Sequence, residues 1–500
     1  MRHAVLALVA VLCGAGALIG AGLLLAADRD ISVSPAGFVN QPAPIDANNS
    51  PSVARNPTRS DNLVVSYRVD RPRFSAVLAS SQDGGVTWEH RSLPLPAGKD
   101  RPFAPDVAFA PDGTLYVVYV NLEGNGNVPA NLWLATSADG GRSLAQPTRV
   151  AGDLTFQPRL AVSPDGSVHV TWLQGDQVGL LRLSGAPARV VAASSRDGGR
   201  TFDAPVPVSD PQRERVGAAS PVVDARGRVF VLYEDFKGDR RDFENLEGPP
   251  WDEPFALVVT RSEDGGRSFS VGNEFESEVV PTRRFLVFLP EFPSLAAGPC
   301  ETLYAAWADG RNGDEDVFLR RSDDGGASWD PPVRVNDDAL GGSTSQYLPR
   351  VAVSPDGRVD VLFYDRRGDP ADVLTDAYLA TSADRGETFR NVRVSAASFD
   401  SRIGPSAGPA FGTDLGSRLA LASDGREAFA VWTDTRAGSE VTGRQDIAGA
   451  TVGLPAPSGP WPWLAVAGSL LLGMLALAAL RLQERPARQA VPAPVERVAP

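Results

Sequence analysis

Lysine is nearly missing from this chain of 500 residues: only Lys99 and Lys237 occur, and arginine supplies almost all the positive charge. With 48 basic against 61 acidic residues the net charge is −13. No basic stripe is present to displace counterions from a phosphate backbone, which excludes nucleic acid as the expected partner. Cysteine is as scarce. Cys13 lies in an apolar N-terminal run, so the remainder holds the single thiol Cys300 and no internal disulfide, and packing has to supply its stability. The three histidines, His3, His90 and His169, show no zinc-ligand spacing. There is no phosphate-binding glycine loop leading into a helix, no nucleophile elbow and no dinucleotide fingerprint. Neither a metal nor a cofactor is expected.

What is abundant is a repeat. The tract Ser-x-Asp-Gly-Gly-x-(Thr/Ser)-aromatic runs from Ser81 to Trp88, Ser195 to Phe202, Ser262 to Phe269 and Ser322 to Trp329. Degenerate copies run from Ser137 to Leu144 and Ser382 to Phe389. Successive starts are 56, 58, 67, 60 and 60 residues apart. That period suits a four-stranded blade of a β-propeller better than a helical solenoid repeat of about 34 to 47 residues.

A second motif accompanies it: a short strand, a turn often written Pro-Asp-Gly, then a strand ending in an aromatic residue. Its copies begin at Pro105, Pro158, Pro221, Pro293, Pro349 and Ser417, with a divergent one at Pro51. Alternating apolar and polar residues on either side of the turn mark an antiparallel hairpin. The expected fold is therefore all-β, a propeller of four-stranded antiparallel blades. Seven units are counted, or six if the divergent first unit is not a full blade. The last unit, ending near DIAGATV at Asp446, lacks a fourth strand, and ISVSPAG at Ile31 resembles VRVSAAS at Val392, so the N-terminal segment is expected to close the ring. In the Asp-Gly-Gly tracts, Asp83, Asp139, Asp197, Asp264, Asp324 and Asp384 are read as acceptors for their own turn, with glycine supplying the unusual backbone angles.

Both ends carry membrane signals. Residues 1–27, apolar from Ala4 to Ala27, read as a signal peptide or signal anchor. The propeller occupies 28–453, and a Pro-rich linker spans 454–460. Trp461 to Leu480 is an uncharged run with Trp461 and Trp463 at its entrance and Arg481, Arg485 and Arg488 after it, the pattern of a transmembrane helix with its positive end inside. Residues 481–500 form a short cytoplasmic tail. The propeller is expected outside the cytoplasm, at the cell membrane.

The repeat resembles the Asp box, or bacterial neuraminidase repeat, of the sialidase superfamily. The resemblance covers about residues 49 to 453 and implies the propeller. The superfamily includes glycoside hydrolases as well as proteins that only bind, so the fold leaves the activity open. A sialidase holds its substrate's carboxylate with three arginines, uses an Asp as acid/base and attacks with a Tyr activated by a Glu. The family's Phe/Tyr-Arg-Ile-Pro tract is absent here. Arg159, Arg350 and Arg418 share one place in the inner strand of three units and are the candidates for carboxylate binding, against the alternative that each pairs with an acidic neighbour. Glu291 and Tyr347 stand two residues before the strand-opening proline in successive units and are the candidate activator and nucleophile, with Asp106 as candidate acid/base.

Four second strands end in Asp235-Phe236-Lys237, Asp309-Gly310-Arg311, Asp365-Arg366-Arg367 and Asp434-Thr435-Arg436. Repetition favours a hairpin latch over a catalytic centre, which needs each group once. Asp314, Glu315 and Asp316 read as a solvated acidic loop, with calcium as the alternative. The expected function is recognition of a glycan or a surface protein partner, with an active exo-sialidase or another glycoside hydrolase as the alternative.

Overall fold

The computed structural model describes residues 31–125, 127–175, 188–213, 215–237, 254–280, 292–405 and 415–454. Seven antiparallel sheets follow one another along the chain, each built on four strands in meander order. The first sheet contains Ala47–Asn56, Arg59–Arg71, Ser75–Ser81 and Glu89–Ser92. The divergent first unit is thus a full blade, and the propeller has seven. The seventh combines Ala420–Ser423, Glu427–Asp434 and Asp446–Gly453 with an outer strand from the other end of the chain, Ser32–Val33. Ser32 pairs with Gly453 and Val33 with Val452, and Gly37–Phe38 adds a second short pairing on the same strand. The N-terminal segment therefore closes the ring, as the likeness between Ile31 and Val392 suggested.

The core is divided among the joints between blades. Seven separate apolar clusters join neighbouring blades, one per joint; Leu362 and Leu379 of blade 6, for example, meet Leu421 and Trp432 of blade 7. Because both faces of a blade are covered, second strands are buried on both sides. Leu115–Val120 and Val229–Asp235 are buried at every position, so their apolar runs are nearly continuous rather than alternating.

Each of the six Ser-x-Asp turns joins the third strand of a blade to its outer strand. In the first, the Asp83 carboxylate accepts from the Thr87 amide at 2.9 Å and the Thr87 hydroxyl at 2.6 Å, while Ser81 Oγ accepts from Gly85 at 2.9 Å. Hydrogen bonds to the ionised form hold the Asp83 carboxyl at about 2, and at Asp139 and Asp324 burial pushes upward but the same hydrogen bonds together outweigh it and again hold the carboxyl at about 2. The glycine pair takes φ of 71° and 92°. The second glycine also seats against the preceding blade: a Cβ on Gly199 would lie 2.4 Å from Leu134, and one on Gly266 2.3 Å from Ser194 Oγ. The closing aromatic packs between sheets, as when Trp329 stacks on Phe275 at 4.3 Å.

The described residues contain no helix long and apolar enough to cross a membrane. The expected signal at 1–27 and the transmembrane run at 461–480 lie outside the described residues.

Candidate functional site

The inner strand of a blade needs a feature that turns a side chain toward the next blade around the axis. Ser50, Ala104, Gln157, Ala218, Leu348 and Gly416 all have φ between 51° and 91°. Two residues after each come Ser52, Asp106, Arg159, Ser220, Arg350 and Arg418. In the first five the ladder slips at this point, as between Phe156 and Arg159 or Tyr347 and Arg350. This is a bulge, and a proline fills four of these five, where no ladder N–H is required (Pro51, Pro105, Pro158 and Pro349). Four of the prolines that open the repeat are therefore explained by backbone geometry.

The residue after the bulge reaches the inner strand of the following blade. Ser52 Oγ accepts from the Val107 amide at 3.4 Å, and Asp106 accepts from the Leu160 amide at 3.0 Å. Ser220 accepts from Leu295 at 3.3 Å, and Ser294 from Val351 at 3.1 Å. After Arg159 the corresponding residue of the next blade is Pro221, which has no N–H to satisfy. An arginine can replace the acceptor there without orphaning a donor.

Arg159, Arg350 and Arg418 all feel the charge of Asp106. Burial pushes the Arg159 guanidinium down to about 10; Asp106 opposes this, and Arg350 adds to it. Arg350 is lowered by burial and held up by Asp106. Arg418 is pushed down most strongly, first by burial and then by Arg159, with Arg350 and Arg68 also repelling it and Asp106 attracting it. Arginine keeps its proton in such surroundings, so the cluster carries three positive charges around one carboxylate.

Among the described residues, none of the three arginines makes a carboxylate contact within 4 Å. Arg159 donates to the Pro158 carbonyl at 2.9 Å and lies 5.2 Å above the Phe292 ring. Arg418 donates to the carbonyls of Pro51, at 2.9 Å, and Pro105. Arg350 is half-buried and donates no hydrogen bond among the described residues.

The other candidates are placed elsewhere. Both oxygens of Asp106 are engaged, one by Ser52 Oγ at 2.5 Å and the other by the Leu160 amide. Tyr347 is fully buried in the joint between blades 6 and 7. Its hydroxyl lies 2.8 Å from Thr375 Oγ1 and accepts from Arg366 at 3.4 Å, and its ring is 5.2 Å from that of Tyr364. Glu291 lies outside the described residues. The three arginines are thus coupled electrostatically to Asp106, while Tyr347 lies in a packed joint.

The four Asp tracts are latches. Asp309 accepts from the Arg311 amide and Nε, both at 2.9 Å, and Asp365 repeats this with Arg367 at 2.7 and 2.8 Å. Asp434 accepts from the Arg436 amide at 2.9 Å. Asp235 accepts from the Lys237 amide at 3.0 Å, while the lysine ammonium donates to the Ser277 carbonyl. The tract Asp314 to Asp316 is not the solvated loop expected: Glu315 and Asp316 are buried, Asp316 opens the strand Asp316–Ser322 and is held by Arg334 and Asn336, and no group of three metal-ligating side chains is found among the described residues.

Sequence reasoning missed Ser52, Ser220, Ser294, Phe292 and Arg68. The serines at 52 and 294 follow the strand-opening proline as Asp106 and Arg159 do, so the repeat held their signal. Phe292 and Arg68 reach the cluster from other blades, and no local pattern marks them.

No family model matches the chain, and no curated protein matches it in sequence. Solved structures resemble it at low identity. A protein of unknown function from Dyadobacter fermentans is 14% identical, with 85% of this chain and 99% of that one covered and a TM-score of 0.46. A Hadza microbial sialidase is 20% identical over 63% of each chain, with a TM-score of 0.41. The GH93 α-L-arabinofuranosidase of Fusarium graminearum is 16% identical, with 72% and 95% covered and a TM-score of 0.43.

Proposed function

We propose that the propeller binds the carboxylate of an acidic glycan at the arginine cluster on its axis. The observation that carries this reading is Arg350: a guanidinium that shares the field of Asp106 with Arg159 and Arg418 and has no hydrogen-bond acceptor among the described residues. A planar fork of this kind holds a carboxylate by two parallel hydrogen bonds, and a second negative charge beside Asp106 relieves the repulsion among the three cations. Asp-box likeness in the repeat supports a glycan as the ligand. Recognition is preferred to hydrolysis because Asp106 is committed to Ser52 and Leu160, and Tyr347 has no exposed surface. In this reading the ring stands outside the cytoplasm, carried by the apolar run from Trp461 to Leu480.

Titration calorimetry of the full chain with N-acetylneuraminate tests the proposal. Arg350→Gln is expected to weaken binding about 10- to 100-fold, the value of one or two charge-assisted hydrogen bonds. Equal binding by the two forms overturns it. Turnover of a fluorogenic sialoside that vanishes in Tyr347→Phe would restore the hydrolase reading.

A further inference from the structure

We propose a second, neutral-sugar subsite in the cleft between blades 1 and 2, so that the ligand is a glycan whose acidic unit is joined to an uncharged one. This rests on the carboxylate reading above. The cleft has a volume of about 440 Å³ and is lined by Asp70, Arg73, Phe74, Asp100, Arg101 and Asn127 among others. These residues belong to connections that leave the ring where inner strands begin and second strands end. The Ser-x-Asp turns occupy the opposite end.

Side chains in contact lead from the wall of the cleft toward the arginine cluster. Arg68, whose charge Arg418 feels, lies 5.4 Å above the Phe103 ring, and Phe103 meets Phe74 edge to face at 5.3 Å. The Arg68 guanidinium carbon and the Phe74 ring centre are thus no more than about 11 Å apart.

The chemistry of the lining selects the class of ligand. Arg73 pairs with Asp100, Asp70 holds Arg68 at 2.9 Å, and Arg101 donates to Asn127 Oδ1 at 2.7 Å and to the Gly124 carbonyl at 3.0 Å. Both carboxylates are paired, with Arg101 Nε also 3.3 Å from Asp100, so donors and acceptors stand side by side in an arrangement that suits vicinal hydroxyl groups. Phe74 is half-buried and gives the apolar C–H face of a sugar ring a surface to pack on.

The test compares free N-acetylneuraminate with 3′-sialyllactose, titrated calorimetrically against the full chain. Wild type is expected to bind the trisaccharide about 10-fold more tightly than the monosaccharide, from one aromatic contact and one or two hydrogen bonds. Phe74→Ala should cut that preference about fivefold while leaving the monosaccharide unchanged. Arg73→Ala, at a side chain 66% exposed and outside the packed joint, should reduce the same ratio without disturbing the fold. A ratio that neither substitution moves overturns the subsite and leaves the carboxylate reading intact. Monosaccharide binding that Arg350→Gln does not weaken, or no binding of either probe, overturns both.

Discussion

At the scale of single residues, buried polar groups here are held by neighbours that fix their protonation. His169 is 1% exposed and is bracketed by Ser163 Oγ and Ser194 Oγ, each at 2.8 Å from a ring nitrogen. Burial lowers its pKa from 6.5 to about 4; Asp165 opposes the change and Arg196 adds to it. Above pH 6.5 the ring is neutral in folded and unfolded chains alike and makes no difference to stability. As pH falls toward 4 the unfolded chain takes up the proton first, so stability is lost across that interval, by about 3 kcal/mol at most. Urea unfolding of wild type and His169→Gln between pH 7 and pH 4 should show a shallower decline in the variant. Parallel declines would mean that carboxylates, not His169, set the acid sensitivity.

At the scale of elements, the aspartate turn is both a local turn and a joint between blades, and its two glycines divide these tasks. A Cβ on Gly198 would meet nothing nearer than Tyr116 Oη at 3.6 Å, so Gly198→Ala adds only the strain of φ 74°. That costs about 1–2 kcal/mol. At Gly199, φ is 80° and the added atom would lie 2.4 Å from Leu134 of the preceding blade, so overpacking adds about 1–3 kcal/mol more. Urea midpoints should fall in the order wild type, Gly198→Ala, Gly199→Ala; equal effects would show that the contact with Leu134 relaxes freely. The division also shows what was legible in the sequence. Turn chemistry is local, so the Asp-Gly-Gly pattern revealed the hairpins, their spacing and the need for positive φ. Which glycine touches a neighbour depends on how blades stack, and no residue in the turn records it. The site divides similarly. The shared position of Arg159, Arg350 and Arg418 after the strand opening was readable as repetition. That Asp106 would be engaged by Ser52 and Leu160, or that Tyr347 would fall inside a joint, depends on ring geometry that appears only when seven blades close.

At the scale of the whole molecule, seven similar joints leave one place where covalent continuity is absent: the strand Asp446–Gly453 would be a bare edge without the N-terminal segment. The pairing that covers it is short but reinforced. Ser34 and Val39 donate to the carbonyls of Thr451, at 2.8 Å, and Ile447, at 2.7 Å, and Asn40 links to both Ile447 and Asp446. Val39 is 2% exposed in the cluster between blades 7 and 1, and its carbonyl meets His90 Nε2 at 2.6 Å, which ties the clasp to blade 1 as well. Removing residues 31–40 should therefore open the edge and loosen that joint, since an unpaired strand edge invites pairing with another chain. A chain beginning at Gln41, compared with one beginning at Ile31, is expected to melt at lower temperature and to self-associate with rising concentration, as read by light scattering. A synthetic peptide of residues 31–40 should bind the shortened chain as an added strand and recover part of the lost melting temperature. The same melting temperature for both chains would mean that the joints close the ring without the clasp. A peptide with no effect on a destabilised chain would mean that the segment acts through its tether and not through strand pairing.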